Sequence, residues 1–213
     1  MRAGSPKWRR RSEARPGEIV QAALEVFAEK GFAAARLDEI AARAGISKGA
    51  LYLYFETKED IFRAVVREAV VPNIGLIETM LAQATIPFPE LLCLAIGRMV
   101  TVIGTSRLGA VAKLVVGESR NFPELARVWH DEVVSRALGA MTGALARAQE
   151  RGEVRPGDPR LQAFSIVGPL LMGVIWQETF SPAGAPAVDL EALALQHCET
   201  VLTGLASRVM VLP

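Results

Sequence analysis

The stretch that decides the fold is residues 37–60, LDEIAARAGISKGALYLYFETKED. Leu37, Ile40, Ala41 and Ala44 recur at three- and four-residue steps and so share one helix face. Asp38 and Glu39 sit in the first turn, where the helix dipole favours negative charge. Gly45 stops this helix, since glycine alone enters the left-handed region at no steric cost. Ser47 is placed to accept a hydrogen bond from an orphan N–H and so open another helix, Lys48 to Phe55, with Leu51 and Phe55 facing inward. Two helices pivoting on a glycine over three or four residues form the pattern of a helix-turn-helix, whose second helix enters the DNA major groove.

The inward face fixes the outward one. With Leu51 and Phe55 in the core, a 100° step per residue puts Gly49 and Leu53 opposite, flanked by Ala50 and Tyr52. Lys48 places a cation beside free N–H groups, and Tyr52, Tyr54 and Lys58 add donors for phosphate oxygens. If Lys58 contacts a phosphate, its replacement by alanine flattens the log-log salt dependence of binding by about 0.9. The competing reading is a plain tight turn between packed helices, with half-buried tyrosines.

Outward from this segment the chain is all-α. Upstream, Ile19, Ala22, Ala23, Val26 and Phe27 form the stripe of a first helix from Gly17 to Lys30, ended by Gly31. Downstream, Thr57 and Asp60 have capping-box spacing and open a long helix to about Ala84, which Pro72 is expected to kink. Further helices follow over Leu91–Ile103, Ser106–Val116, Pro123–Gly152, Arg160–Phe180 (capped by Asp158) and Asp189–Arg208, about nine in all. The expected division is a basic arm (1–15), a helix-turn-helix domain (16–60) and a helical effector-binding and dimerisation domain (61–213).

Composition narrows the function classes. Of 213 residues, 51% are hydrophobic and 22% charged, with a mean hydropathy of +0.26, a core-forming balance that excludes a disordered scaffold. The net charge of +1 hides an excess at the start, where six basic residues face one acidic residue in positions 1–15, among them Arg9, Arg10 and Arg11. Such an arm suits an adjacent minor groove. Leu161 to Gln177 is charge-free but broken by Gly168, Pro169 and Gly173, so a buried helix explains it better than a membrane span. Cys93 and Cys198 lie far apart in helical patterns; neither a disulfide framework nor a metal motif is read, and a reducing, cytoplasmic location is expected.

The run from Ile40 to Asp60, IAARAGISKGALYLYFETKED, resembles the DNA-binding signature of TetR/AcrR-type transcriptional regulators, and the likeness spans about fifty residues from Ile19 to Val66. It implies a homodimeric repressor on a double-stranded DNA operator, released by a small ligand, with Ser47, Lys48, Gly49 and Ala50 starting the recognition helix. Tyr52, Tyr54 and Lys58 are then phosphate anchors. Two positions depart from the pattern. Arg36 stands where Thr or Ser is usual before the second helix, so it replaces a phosphate contact but not a cap; Ala50 stands in place of Thr. Groove specificity then leans on thymine methyls, backbone approach and DNA shape.

Competing classes fail on context. Gly45-Ile46-Ser47-Lys48-Gly49 matches a hydrolase nucleophile elbow, but a helix, not a strand, precedes Ser47. His130, Asp131 and Glu132 are consecutive on a helix and point apart, against a metal site. Small residues from Gly139 to Gly143 suit a helical interaction protein, yet soluble bundles use them too. No enzyme activity, cofactor, metal or membrane partner is expected.

The last two helices are apolar over more surface than one core needs, which points to a four-helix dimer interface and a near-palindromic operator with half-sites about 34 Å apart. Helices between residues 88 and 180 are expected to enclose an apolar or aromatic effector, with Arg98, Met99, Trp129, Phe164, Met172 and Trp176 as candidates. Glu118, Arg120, His130 and Gln177 are further polar candidates.

Overall fold

The computed structural model describes residues 15–105 and 108–205. The basic arm before Arg15, Ser106 and Arg208 lie outside the described residues. Eleven α segments occur: α1 (Arg15–Ala34), α2 (Leu37–Arg43), α3 (Lys48–Tyr52), α4 (Lys58–Val65), α5 (Val71–Gln83), α6 (Phe88–Thr105), α7 (Leu108–Glu118), α8 (Pro123–Trp129), α9 (Ser135–Glu150), α10 (Pro159–Ile175) and α11 (Leu190–Leu205). The π-helical turns Val66–Val70 and His130–Val134 join α4 to α5 and α8 to α9, leaving nine rods among the described residues.

Local signals place the helix ends. Gly31 leaves the helical region at φ 78° inside α1, as its sequence position requires. Thr57 and Asp60 form both halves of the capping box, and Asp158 accepts from the N–H groups of Arg160 and Leu161. The expected kink at Pro72 takes a different form. Proline has no N–H to return to the Glu68 carbonyl, and the register slips just upstream into the π turn, where the Val71 N–H bonds to Val66.

Two cores hold the rods together. The first is centred on α1 to α4 and includes Phe32, which is fully buried against Phe27, Phe62 and Phe122 at 4.9–6.0 Å between ring centroids. It also takes Val111, Leu114, Leu125 and Val128 from α7 and α8, so the N-terminal unit is packed onto the body. The second joins α5, α6, α9, α10 and α11.

One sequence expectation is corrected here. Cys93 on α6 and Cys198 on α11 form a disulfide, with Cα atoms 5.9 Å apart. Their separation of 105 residues hides the pairing, because antiparallel packing of α6 on α11 brings the two together, and no local spacing encodes that.

Candidate DNA-binding surface and effector cavity

In the recognition segment, the Ser47 hydroxyl accepts from the Ala50 N–H at 3.1 Å and so caps α3. Leu51 is fully buried and Phe55 half-buried against the first core, anchoring one face. The opposite face stands in solvent: Leu53 is 84% exposed, and Lys48, Gly49, Tyr52 and Tyr54 are exposed beside it, with Ala50 half-exposed. Helical geometry ends at Tyr52, earlier than the expected Phe55, although the Phe55 N–H still bonds to the Leu51 carbonyl. Arg36 precedes α2 without capping it; its guanidinium bonds instead to Asp38, whose carboxyl it holds below the usual carboxylate range.

Lys58 is placed differently from its neighbours. Its ammonium donates to the carbonyls of Phe32, Ala33 and Ala35 at 2.5, 3.2 and 3.1 Å and lies 4.5 Å from the Phe32 ring centroid. All three N–H donors therefore have acceptors within the protein, tying α4 to the end of α1. Burial lowers its pKa from 10.5, opposed by the charges of Glu59 and Glu118.

The rod from Lys58 to Gln83 leads from this surface into the body. Three ion pairs bind it to the rod from Pro123 to Glu150: Arg63 with Glu124 at 2.7 Å, Arg67 with Glu132 at 2.7 Å, and Glu78 with Arg136 at 2.5 Å. Pairs so open to solvent contribute little each, about 0–1 kcal/mol, and rearrange at small cost.

Behind these rods lies a cavity of about 230 Å³. It is lined by Val70, Ile74 and Ile77 of the first rod, by Ile96 and Met99 of α6, by Trp129 and Val133, and by Phe164 and Leu171 of α10, among others. Among the described residues no charged side chain lines it, and Asn73 is the one amide. Of the expected ligand residues, Met99, Trp129 and Phe164 are there, whereas Arg98, Met172 and Trp176 are not. Met172 is 51% exposed on the outer face of α10, Arg98 is on the exposed face of α6, and the Trp176 indole donates to the Pro186 carbonyl at 2.9 Å.

Three of the other polar candidates have partners of their own: Glu118 accepts from the Ala33 N–H, Gln177 donates to the Val188 carbonyl, and His130 pairs with Asp131, while Arg120 is exposed and outside the cavity lining. Sequence reasoning missed the cavity residues Val70, Ile74 and Val133, because an apolar residue facing a cavity reads the same as one facing the core. Among the described residues no cluster of three metal-ligating side chains occurs.

A capped helix-turn-helix with an open outer face, joined by one rod to an apolar cavity, defines a ligand-linked DNA-binding regulator. Comparison with known proteins agrees. Residues 19–65 match the family described as bacterial regulatory proteins, tetR family, and residues 90–197 match the AefR-like transcriptional repressor C-terminal domain. The chain is 30% identical over 153 residues, 71% of its own length and 77% of the relative's, to the fatty acid metabolism regulator protein of Bacillus subtilis.

Two solved structures are similar as well. One is the transcriptional regulator FadR from Bacillus subtilis in complex with stearoyl-CoA, with a TM-score of 0.72, 27% identity and coverage of 89% of this chain and 98% of that one. The other is the SmeT–triclosan complex, with a TM-score of 0.73, 25% identity and coverage of 94% and 95%; SmeT represses a Stenotrophomonas maltophilia multidrug efflux pump. The chain belongs to the TetR family, and it is a sequence-specific DNA-binding transcriptional regulator.

Proposed function

We propose that this protein is a repressor that binds a near-palindromic operator as a homodimer and leaves it when an uncharged apolar body, acyl or aryl, enters the cavity. The observation that carries this is the continuity of one rod: Lys58 at its start ties it to the recognition unit, and Val70, Ile74 and Ile77 further along line the cavity. A ligand that favours one position of this wall also favours one position of the recognition helix, and only such a difference shifts the population. The lack of charge among the described lining residues supports an apolar ligand, since a buried unpaired charge is costly. The stearoyl-CoA and triclosan complexes of the two similar proteins support the same class.

On the DNA side, Lys48, Tyr52 and Tyr54 contact phosphate, Arg36 adds a cation nearby, and Gly49, Ala50 and Leu53 meet the groove. The dimer uses α10 and α11, whose outer faces carry Leu161 (64% exposed), Met172 and Leu195. The helix Pro159–Ala183 is long and apolar enough to cross a membrane and only 28% buried, a surface that a partner subunit explains once the chain is a DNA-binding regulator. The protein acts in the cytoplasm, where its operator is.

The test is retardation of the DNA flanking its own gene against random DNA, followed by addition of stearoyl-CoA or triclosan, with sedimentation in parallel. Specific retardation, release by at least one compound and a dimer at micromolar concentration are expected. No preference over random DNA overturns the operator role; release by neither compound overturns the effector class.

A further inference from the structure

The disulfide between Cys93 and Cys198 has no part in DNA binding or in the cavity lining, yet it lies where it controls one cavity wall. Helix α6 is sandwiched: Ala95, Ile96, Met99, Val102 and Ile103 face the cavity, while Cys93, in its second turn, is bonded to α11 behind. Helix α11 is itself held fast. The His197 ring nitrogen Nε2 is 2.8 Å from the Ile166 carbonyl of α10, and Gly173 of α10 lies so close that an added Cβ would come within 2.7 Å of Leu193 and 2.9 Å of Leu190. The crosslink therefore fixes the cavity wall to a closely packed pair of helices in the body.

Wall movement would enlarge the room for a ligand. At about 230 Å³ the cavity exceeds the roughly 150 Å³ that accepts benzene but falls short of the about 300–1,000 Å³ of sites for drug-sized ligands. Cys198 is buried, at 5% exposure, but Cys93 is exposed, so a small thiol reaches the bond from the Cys93 side. In the compartment that holds chromosomal DNA, thiols are kept reduced and disulfides are transient or sensing.

We propose that Cys93 and Cys198 form a thiol–disulfide exchange site that gates the effector cavity. On reduction, the thiolate of a small thiol attacks the Cys93 sulfur and displaces the Cys198 thiolate. A second thiol resolves the mixed disulfide, leaving two cysteine thiols and one small-molecule disulfide, which carries away the two-electron oxidation. Helix α6 is then free to move from α11 and the cavity expands for ligand. Oxidation by a low-molecular-weight disulfide runs the same exchange backwards, with two small thiols leaving, and holds the cavity at its resting size, so that the repressor stays on its operator in the presence of effector. This rests on the ligand-release reading above, and the experiment separates the two.

The dimeric full-length protein is equilibrated with reduced or oxidised glutathione, its free thiols are counted, and binding of the apolar dye N-phenylnaphthylamine is measured alongside stearoyl-CoA release of operator DNA. Two thiols per chain, tighter dye binding by on the order of tenfold and effector-driven release are expected on reduction. No free thiols and retention on the operator are expected on oxidation. Cys93→Ser and Cys93→Ala behave as the reduced protein in both buffers. Failure of oxidised glutathione to remove the free thiols, or dye affinity equal within about twofold in the two states, overturns the gate. Equal dye affinities or not, loss of specific DNA retardation in both states counts against the regulator reading instead.

Discussion

The two ends of the Lys58–Gln83 rod are built on opposite plans. At the DNA end, five-residue α3 carries its own start and is held by one buried leucine, and its working face is open. At the cavity end, residues from α5 through α10 converge on a space that no one of them encloses. The difference teaches that a surface for a large, rigid ligand such as a duplex is made from neighbouring residues with local capping, whereas a pocket for a small one is a by-product of how distant helices pack.

The largest effect expected from breaking this contrast is at Phe32, where the two plans meet. Phe32→Ala removes a fully buried ring packed against three others and against Lys58 and should cost about 3–5 kcal/mol, read as a fall in the denaturation midpoint with loss of operator binding. A loss under about 1 kcal/mol would mean that the aromatic cluster does not organise the N-terminal unit.

The paired lysines sharpen it next. Lys48→Ala, on the open face, should leave stability unchanged and flatten the salt dependence of operator binding by about 0.9. Lys58→Met should instead cost about 1–2 kcal/mol of stability, because it strands three carbonyls at the end of α1. Were Lys58→Met to change the salt slope and not the stability, the inward assignment of that side chain would be wrong.

The smallest effect is a titration in the body. The Arg151 guanidinium, and after it the Phe88 N–H, hold the Glu153 carboxyl below its usual 4.5. A carboxyl depressed in the folded state adds stability that is present above the unfolded value and is lost as pH falls through the folded one. Thermal melting should therefore decline below about pH 4.5 less steeply in Glu153→Gln than in the natural chain. Identical slopes would remove this group from the acid response.

Much of the fold was legible because its signals are short-range. Ser47, Thr57 and Asp158 mark helix starts through bonds to N–H groups two or three residues on, Asp60 bonds back to the Thr57 N–H, and Gly31 and Gly45 mark stops through positive φ. The exposed side of Gly49 and Leu53 followed from helical periodicity once Leu51 was assigned to the core. Arg98, Met172 and Trp176 fall outside the cavity lining for the complementary reason: which face of a helix meets the cavity depends on neighbours far along the chain. The same holds for Lys58, whose carbonyl partners at 32, 33 and 35 lie on the segment that ends α1.

By itself, the sequence determined the helical class, the caps, the recognition segment and its outward face, since each is set by interactions within one or two turns. Only the tertiary structure decided the cavity, the inward course of Lys58 and the union of Cys93 with Cys198. Those depend on the rotation and separation of packed helices, which the pattern of apolar residues along a single helix leaves free.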